Sequence, residues 1–273
     1  MEPAQSATPR PQGLRRVTTV LALLTAGLLT VGTGLVLLAS PPALIGALAL
    51  LLSLTPLAVA AVTLRPRAPG PVTTADLLTM LRLLGAGALA AVTVLALAGQ
   101  VPSRGWVLAA LIGVALASDG IDGHVARRTG TAGPIGARID MEADAALVMA
   151  LSALAAITVG PWVLAIGLMR YAYVAASRIR PALRRPLGYS LSRRLIGALQ
   201  GVSLLAATVP VIPAQLATGI LAVALALLVL SFGRDVIAQE RAEWRAQAGT
   251  QEQARVQEQA GPRSRPRAQE QVL

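Results

Sequence analysis

Five of the chain's 13 acidic residues stand close together: Asp119, Asp122, Asp140, Glu142 and Asp144, within SDGIDGHVARRTGTAGPIGARIDMEADA. Asp119 and Asp122 are spaced i, i+3 and Asp140 and Asp144 i, i+4, so on helices each pair shares a face. A short connection lets two such helices pack antiparallel and brings four carboxylates together. Unpaired, they repel one another and their pKa values rise. One divalent cation, or two, removes the repulsion, and an oxygen-only donor set favours Mg²⁺, Mn²⁺ or Ca²⁺. Glu142 lies about 200° around the helix from Asp140 and reads as a bystander.

The neighbouring residues fit a phosphorylated ligand. Gly123 follows Asp122 and leaves the backbone open to a close approach. Ala126, one turn on, also leaves space, and Arg127 offers a planar cationic fork suited to phosphate. Carboxylates for metal, a small-residue floor and an arginine together suit a diphosphate-containing substrate. His124 points about 100° away from Gly123 and reads as a lining or lipid-interface residue.

The elements that carry this cluster are membrane spans. The 273-residue chain is 55% hydrophobic and only 14% charged, against about a quarter charged for soluble domains. Apolar runs cover roughly 17–39, 43–64, 77–99, 105–118, 141–160, 162–177, 195–209 and 214–232. Each is near the ~20 residues a helix needs to cross hydrocarbon, and none alternates as a barrel strand would. The fold class is therefore all-α: a polytopic membrane helical bundle of about eight spans. The 17–39 run exceeds a signal-peptide core and is followed by Pro41-Pro42, so it reads as a retained span. With the N-terminus inside, arginines fall almost entirely in inside loops and Arg104 alone lies outside, as the positive-inside rule requires. The net charge of +11 is thus a topology signal, and a nucleic-acid partner is not expected. Carboxylates at the edge of such spans mark a functional site.

The composition excludes other chemistry. All 24 basic residues are arginine, cysteine is absent and His124 is the single histidine. A Walker A loop, a Schiff-base lysine, a thiol nucleophile and a cysteine or HExxH zinc site are ruled out. The Ala, Arg, Gly and Val bias without lysine fits a GC-rich bacterial genome.

Asp119-x-x-Asp122-Gly123-x-x-Ala126-Arg127, eight residues, Gly136, three residues, Asp140, three residues, Asp144 resembles the signature of the CDP-alcohol phosphotransferases (CDP-alcohol phosphatidyltransferases), with all eight fixed positions matched. The stretch Asp76-x-x-Thr79-x-x-Arg82 also resembles the part of the first core helix that this family places near the cytidine. The resemblance implies a six-helix core, a homodimer, and a site at the cytosolic surface of the plasma (inner) membrane. It implies transfer of a substituted phosphoryl group from a CDP-linked donor to an alcohol, with release of CMP. It makes Asp119, Asp122, Asp140 and Asp144 ligands of two Mg²⁺ or Mn²⁺ ions, and Asp144 also the general base. Asp76, Thr79, Gly123, Ala126 and Arg127 would contact the CDP part. Many members carry Ser or Thr where this chain has Gly133; either Thr129 or Thr131 supplies that donor-phosphate contact instead, or the chain lacks it.

Three regions follow: 1–70 with two accessory spans, a 71–235 core entered through the Pro-rich 65–72, and a disordered cytosolic tail over 236–273, whose start, from 238, could prolong the last helix. Arg170 stands inside a span, where it either pairs with an acid or binds an anionic acceptor. Arg193 and Arg194 are further candidates for an acceptor phosphate; the other arginines of 178–194 read as topology and anionic-lipid contacts. Trp106 and Trp162 read as interface anchors, and Tyr171 and Tyr173 as packing. A membrane site open to the cytosol fits CDP-diacylglycerol as donor and glycerol 3-phosphate or an inositol phosphate as acceptor. The competing readings are a soluble CDP-polyol donor and a cation or proton transporter. A transporter is disfavoured because the acids occur once, at the membrane edge, without repeated halves.

Overall fold

The computed structural model describes residues 11–64, 74–128, 134–184 and 190–259. Their side chains are described except at 11–17, 62–64, 74–76, 78, 118–128, 134–139, 254 and 256–259. Among the described residues there are helices and no strand: α1 (Pro11–Ala39), α2 (Ala43–Ser53), α3 (Pro56–Leu64), α4 (Thr74–Leu97), α5 (Trp106–Arg128), α6 (Pro134–Val159), α7 (Leu164–Ile179), α8 (Leu191–Thr208) and α9 (Ala214–Gln259). Short 3₁₀ turns, Pro161–Val163 and Pro181–Arg184, flank α7. The eight apolar runs correspond in order to α1, α2 with α3, and α4 to α9. Five described stretches are long and apolar enough to cross a membrane: Thr18–Ala39, Ala43–Ala61, Thr79–Leu97, Asp140–Val159 and Ala214–Gln253, with Trp106–Ala117 a shorter apolar helix.

Local chemistry sets the breaks. Ser40 adopts φ 46° and donates its N–H to Val36 O at 2.8 Å, a left-handed cap closed off by Pro41 and Pro42. The second run is interrupted within its length. Pro56 has no N–H to continue the ladder, so Leu54 and Thr55 make tighter bonds to Leu51 O and Leu52 O, and α3 starts anew. Gly160, at φ 102°, ends α6 before Pro161.

The core centres on α6, which packs on α4, α7 and α8. Leu147, Leu151 and Leu154 of α6 are buried with Ala86 and Leu89 of α4, Val163, Ile166 of α7, Leu204 of α8 and Leu221 of α9. The accessory spans are docked directly on this core. Val20, Leu24 and Leu28 of α1 and Ala60 of α3 form one cluster with Met80, Leu83 and Ala143. Close approach depends on small residues, the usual device between membrane helices. A Cβ on Gly87 would stand 2.4 Å from Ser53 O, and one on Gly167 2.7 Å from Met149 Cα. Outward faces are apolar, as with Leu38, Leu44, Leu111 and Leu230, which suits lipid. At the end of the bundle away from the acidic cluster, Arg104 donates to Val209 O at 2.6 Å and to Ile212 O, and Gly105 N–H donates to Thr208 O at 3.0 Å. The Arg104 side chain thereby ties two loops together.

The start of the tail prolongs the last helix. It continues α9 without interruption to Gln259. Residues 236–259 are dominated by Ala, Gln, Glu and Arg, good helix formers, and contain no proline. The first turns are also held. Gln239 is buried, accepts from Tyr173 Oη at 2.8 Å and donates to Leu183 O at 3.4 Å; Tyr173 meets Phe232 edge-on. At 46 residues, α9 is about 69 Å long, more than twice the ~30 Å hydrocarbon thickness, so its last half projects beyond the bilayer.

Candidate active site

Three helix ends carry the expected site. The start of α4 holds Asp76, Thr79 and Arg82; the end of α5 holds Asp119, Asp122, Gly123, His124, Ala126 and Arg127; the start of α6 holds Gly136, Asp140, Glu142 and Asp144. The side chains of Asp76, of the α5 group and of Gly136 lie outside the described set, and Thr129, Thr131 and Gly133 lie outside the described residues altogether. The convergence of all four aspartates is therefore not described. Among the described residues no group of three or more His, Cys, Asp or Glu could hold a metal ion.

What is described ties α4 to α6. Arg82 donates Nη1 to Asp140 Oδ1; the arginine side chain is 1% exposed and the carboxylate 52%. One turn deeper, Gly85 faces Leu147 at 3.8 Å from a Cβ position. The two helices therefore run parallel, with Asp76, Thr79 and Arg82 at the same end as Asp140 and Asp144. Thr79 is buried and Asp144 half-buried. The connection between α5 and α6 spans 129–133, short enough to return the chain to that same end.

The helix faces separate as the spacing requires. Asp140 and Asp144 lie about 40° apart on α6, with Glu142 on the far side. Glu142 accepts from Arg170 Nη2 of α7 at 2.6 Å, with both side chains largely buried, 21% and 29% exposed. This is the acid-pairing reading of Arg170. Arg193 is also engaged, donating Nε to Asp235 Oδ2 at 2.8 Å in the α8–α9 contact. Two of the three candidate acceptor arginines are thus committed to carboxylates in this structure, while Arg194 is exposed.

Arg82 is the residue that spacing alone undervalues. Its signal is present in the sequence: an arginine in an apolar helix, on the i, i+3, i+6 stripe of Asp76 and Thr79. Its partner, 58 positions away, is not readable there. Because Arg82 orients a candidate metal ligand, Arg82→Gln should weaken divalent-cation affinity by about 10–100-fold, the usual cost of losing a ligand's supporting partner. A Mg²⁺ titration of turnover checks this: the half-saturating concentration should rise while the plateau is largely retained. An unshifted titration would make Arg82 a packing residue only.

The fold and site define a class: a multi-pass helical membrane protein with acidic and basic residues gathered at one end of its bundle. Within that class, the model of the CDP-alcohol phosphatidyltransferase family matches residues 72–239, more than half of the chain, and the protein belongs to that family. No curated protein and no solved structure matches it. It is accordingly a membrane transferase of the CDP-alcohol class, and the family match leaves α1 to α3 outside.

Proposed function

We propose that the protein transfers the phosphatidyl group of CDP-diacylglycerol to a hydroxyl of glycerol 3-phosphate or an inositol phosphate, releasing CMP in phospholipid synthesis. The observation that carries this reading is the Arg82–Asp140 pair, which holds the cytidine-side stretch of α4 against the aspartates of α6. The arginine distribution supports a cytosolic placement of this end and of both termini. Membership of the family supports a homodimer.

Asp119, Asp122, Asp140 and Asp144 would hold one or two Mg²⁺ or Mn²⁺ ions. The donor set fits: it is oxygen-only, and the Asp140 carboxylate stays half-exposed even while Arg82 holds it. When bound, such ions neutralise the diphosphate and stabilise the leaving CMP. Gly123, Ala126 and Arg127, with Asp76 and Thr79, hold the CDP part. The acceptor oxygen attacks the phosphorus bearing the diacylglycerol. The bond from that phosphorus to the bridging oxygen breaks, CMP leaves with the electron pair, and the Asp144 carboxylate takes the hydroxyl proton. The protein's share is positioning and charge, as in other phosphoryl transfers.

The test is incubation of membranes containing the protein with labelled CDP-diacylglycerol, Mg²⁺ and a panel of alcohols. CMP release that depends on a phosphorylated polyol is the expected result. Turnover with a soluble CDP-polyol and none with CDP-diacylglycerol would replace the donor. No CMP from any pairing would overturn the proposal.

A further inference from the structure

The outward face of α9 carries a repeat. Leu216, Val223, Leu230, Ile237 and Trp244 stand seven residues apart, and all five are exposed. Between successive members lie Gly219, Ala226 and Gly233, also exposed and also seven apart. The inner face of the helix is already taken, with Leu221, Leu228 and Asp235 buried against the rest of the chain. A repeat of seven, held over four periods, is the pattern by which two helices wind around each other. Glu240, at the next small position, is turned to Arg180 of its own chain at 3.5 Å.

Within the bilayer, lipid suits such a face, but the stripe does not end there. Counted from Ala214, about 20 residues fill the ~30 Å of hydrocarbon, which puts the boundary at Arg234 and Asp235. Trp244 lies about 15 Å further along the helix, past a headgroup layer ~5–8 Å deep, and it is 72% exposed. Lipid tails do not reach it, so the cover for this end of the stripe is protein. The glycines point the same way. A Cβ on Gly219 or Gly233 would meet nothing within 4 Å among the described residues, so the fold of one chain requires neither, although each costs a helix about 1 kcal/mol relative to alanine. Close approach of a second helix supplies the reason. One partner fits the stripe directly. Copies that share a membrane topology present α9 in the same direction and at the same depth, so each residue of the stripe meets its own counterpart across a two-fold axis.

We propose that α9 pairs along this stripe with α9 of a second copy of the chain, in a parallel seam about 42 Å long that runs from the bilayer into water. The proposal rests on the homodimer reading given above and names its interface. Large residues of one helix enter holes bordered by the small residues of the other, and Trp244 closes the seam beyond the headgroups.

The chain lacks cysteine, so single cysteines can be scanned in the full-length protein, in membranes under mild oxidation. Leu230→Cys, Ile237→Cys and Trp244→Cys should each give a disulfide-linked dimer, because a disulfide forms where Cα atoms come within about 7 Å. Ala238→Cys and Ala242→Cys should stay at background; both positions are exposed but lie about 100° and 160° around α9 from Ile237 and Trp244. Gly219→Leu and Gly233→Leu have room within the chain, so helix content by circular dichroism should be kept while the dimer's dissociation constant in detergent rises at least about tenfold. A dimer that links equally at all five positions, or at none, overturns the seam and leaves the homodimer standing. An unchanged dissociation constant in both glycine variants overturns the seam as well. A monomer in the unaltered protein overturns seam and homodimer together. None of these results touches the transfer reaction, which CMP release tests separately.

Discussion

Treatment with EDTA is expected to reduce CMP release to background, and added Mg²⁺ or Mn²⁺ to restore it. The expectation follows from what the chain lacks. With no cysteine, one histidine and no lysine, the site has carboxylates and arginine with which to handle a diphosphate. Without a cation, the four aspartates of the proposed site would repel both one another and an anionic donor. Arg82 offsets this in part, and the Asp140 carboxylate it holds remains half-exposed. Divalent-ion stabilisation of developing charge is worth several kcal/mol, and each ~1.4 kcal/mol is a factor of ten in rate, so the loss should be at least about 10²-fold. Oxygen-only donors also set the order of rescue, with hard cations working and softer ones working poorly. Undiminished turnover in a metal-free preparation would remove the carboxylate argument at its root.

The parts of this fold that rest on local chemistry are legible in the sequence. Apolar runs announce helices because lipid leaves the backbone no other partner, and all eight runs have helical counterparts. The break at Pro56 is also written locally, though the 43–64 run reads as one span. The helical start of the tail is legible in kind, since 236–259 holds no proline, but its extent past Gly249 is not, and the anchoring of Gln239 to Tyr173 and Leu183 is a tertiary contact. Within the site, the aspartate spacing places Asp140 and Asp144 on one face of α6 and Glu142 on another. The arginines that meet Asp140 and Glu142, Arg82 and Arg170, come from helices whose relative rotation is fixed by packing at positions such as Gly85 and Gly167. Local spacing carries no information about that rotation, so the ion pairs can be anticipated in kind and not in identity.

Depth along α6, not rotation, distinguishes Asp144, the proposed base, from Asp140 on the same face. Asp144→Asn keeps the side chain's size and one coordinating oxygen but removes the group that takes the acceptor's proton. Donor and metal binding should survive while kcat falls by about 10²–10⁴-fold, the usual range for loss of a general base. Asp119→Asn should behave differently, weakening cation binding so that excess Mg²⁺ partly restores turnover. The distinction has a structural basis on α6. Asp140 is held by Arg82 at the exposed end, whereas Asp144 sits one turn deeper and half-buried, where a hydroxyl entering between the helices could reach it. CMP release measured against Mg²⁺ concentration for both variants decides the matter. A flat, low plateau for Asp144→Asn beside a right-shifted curve for Asp119→Asn is the expected pair. Full rescue of Asp144→Asn by magnesium would make Asp144 a ligand only and move the proton to another acceptor.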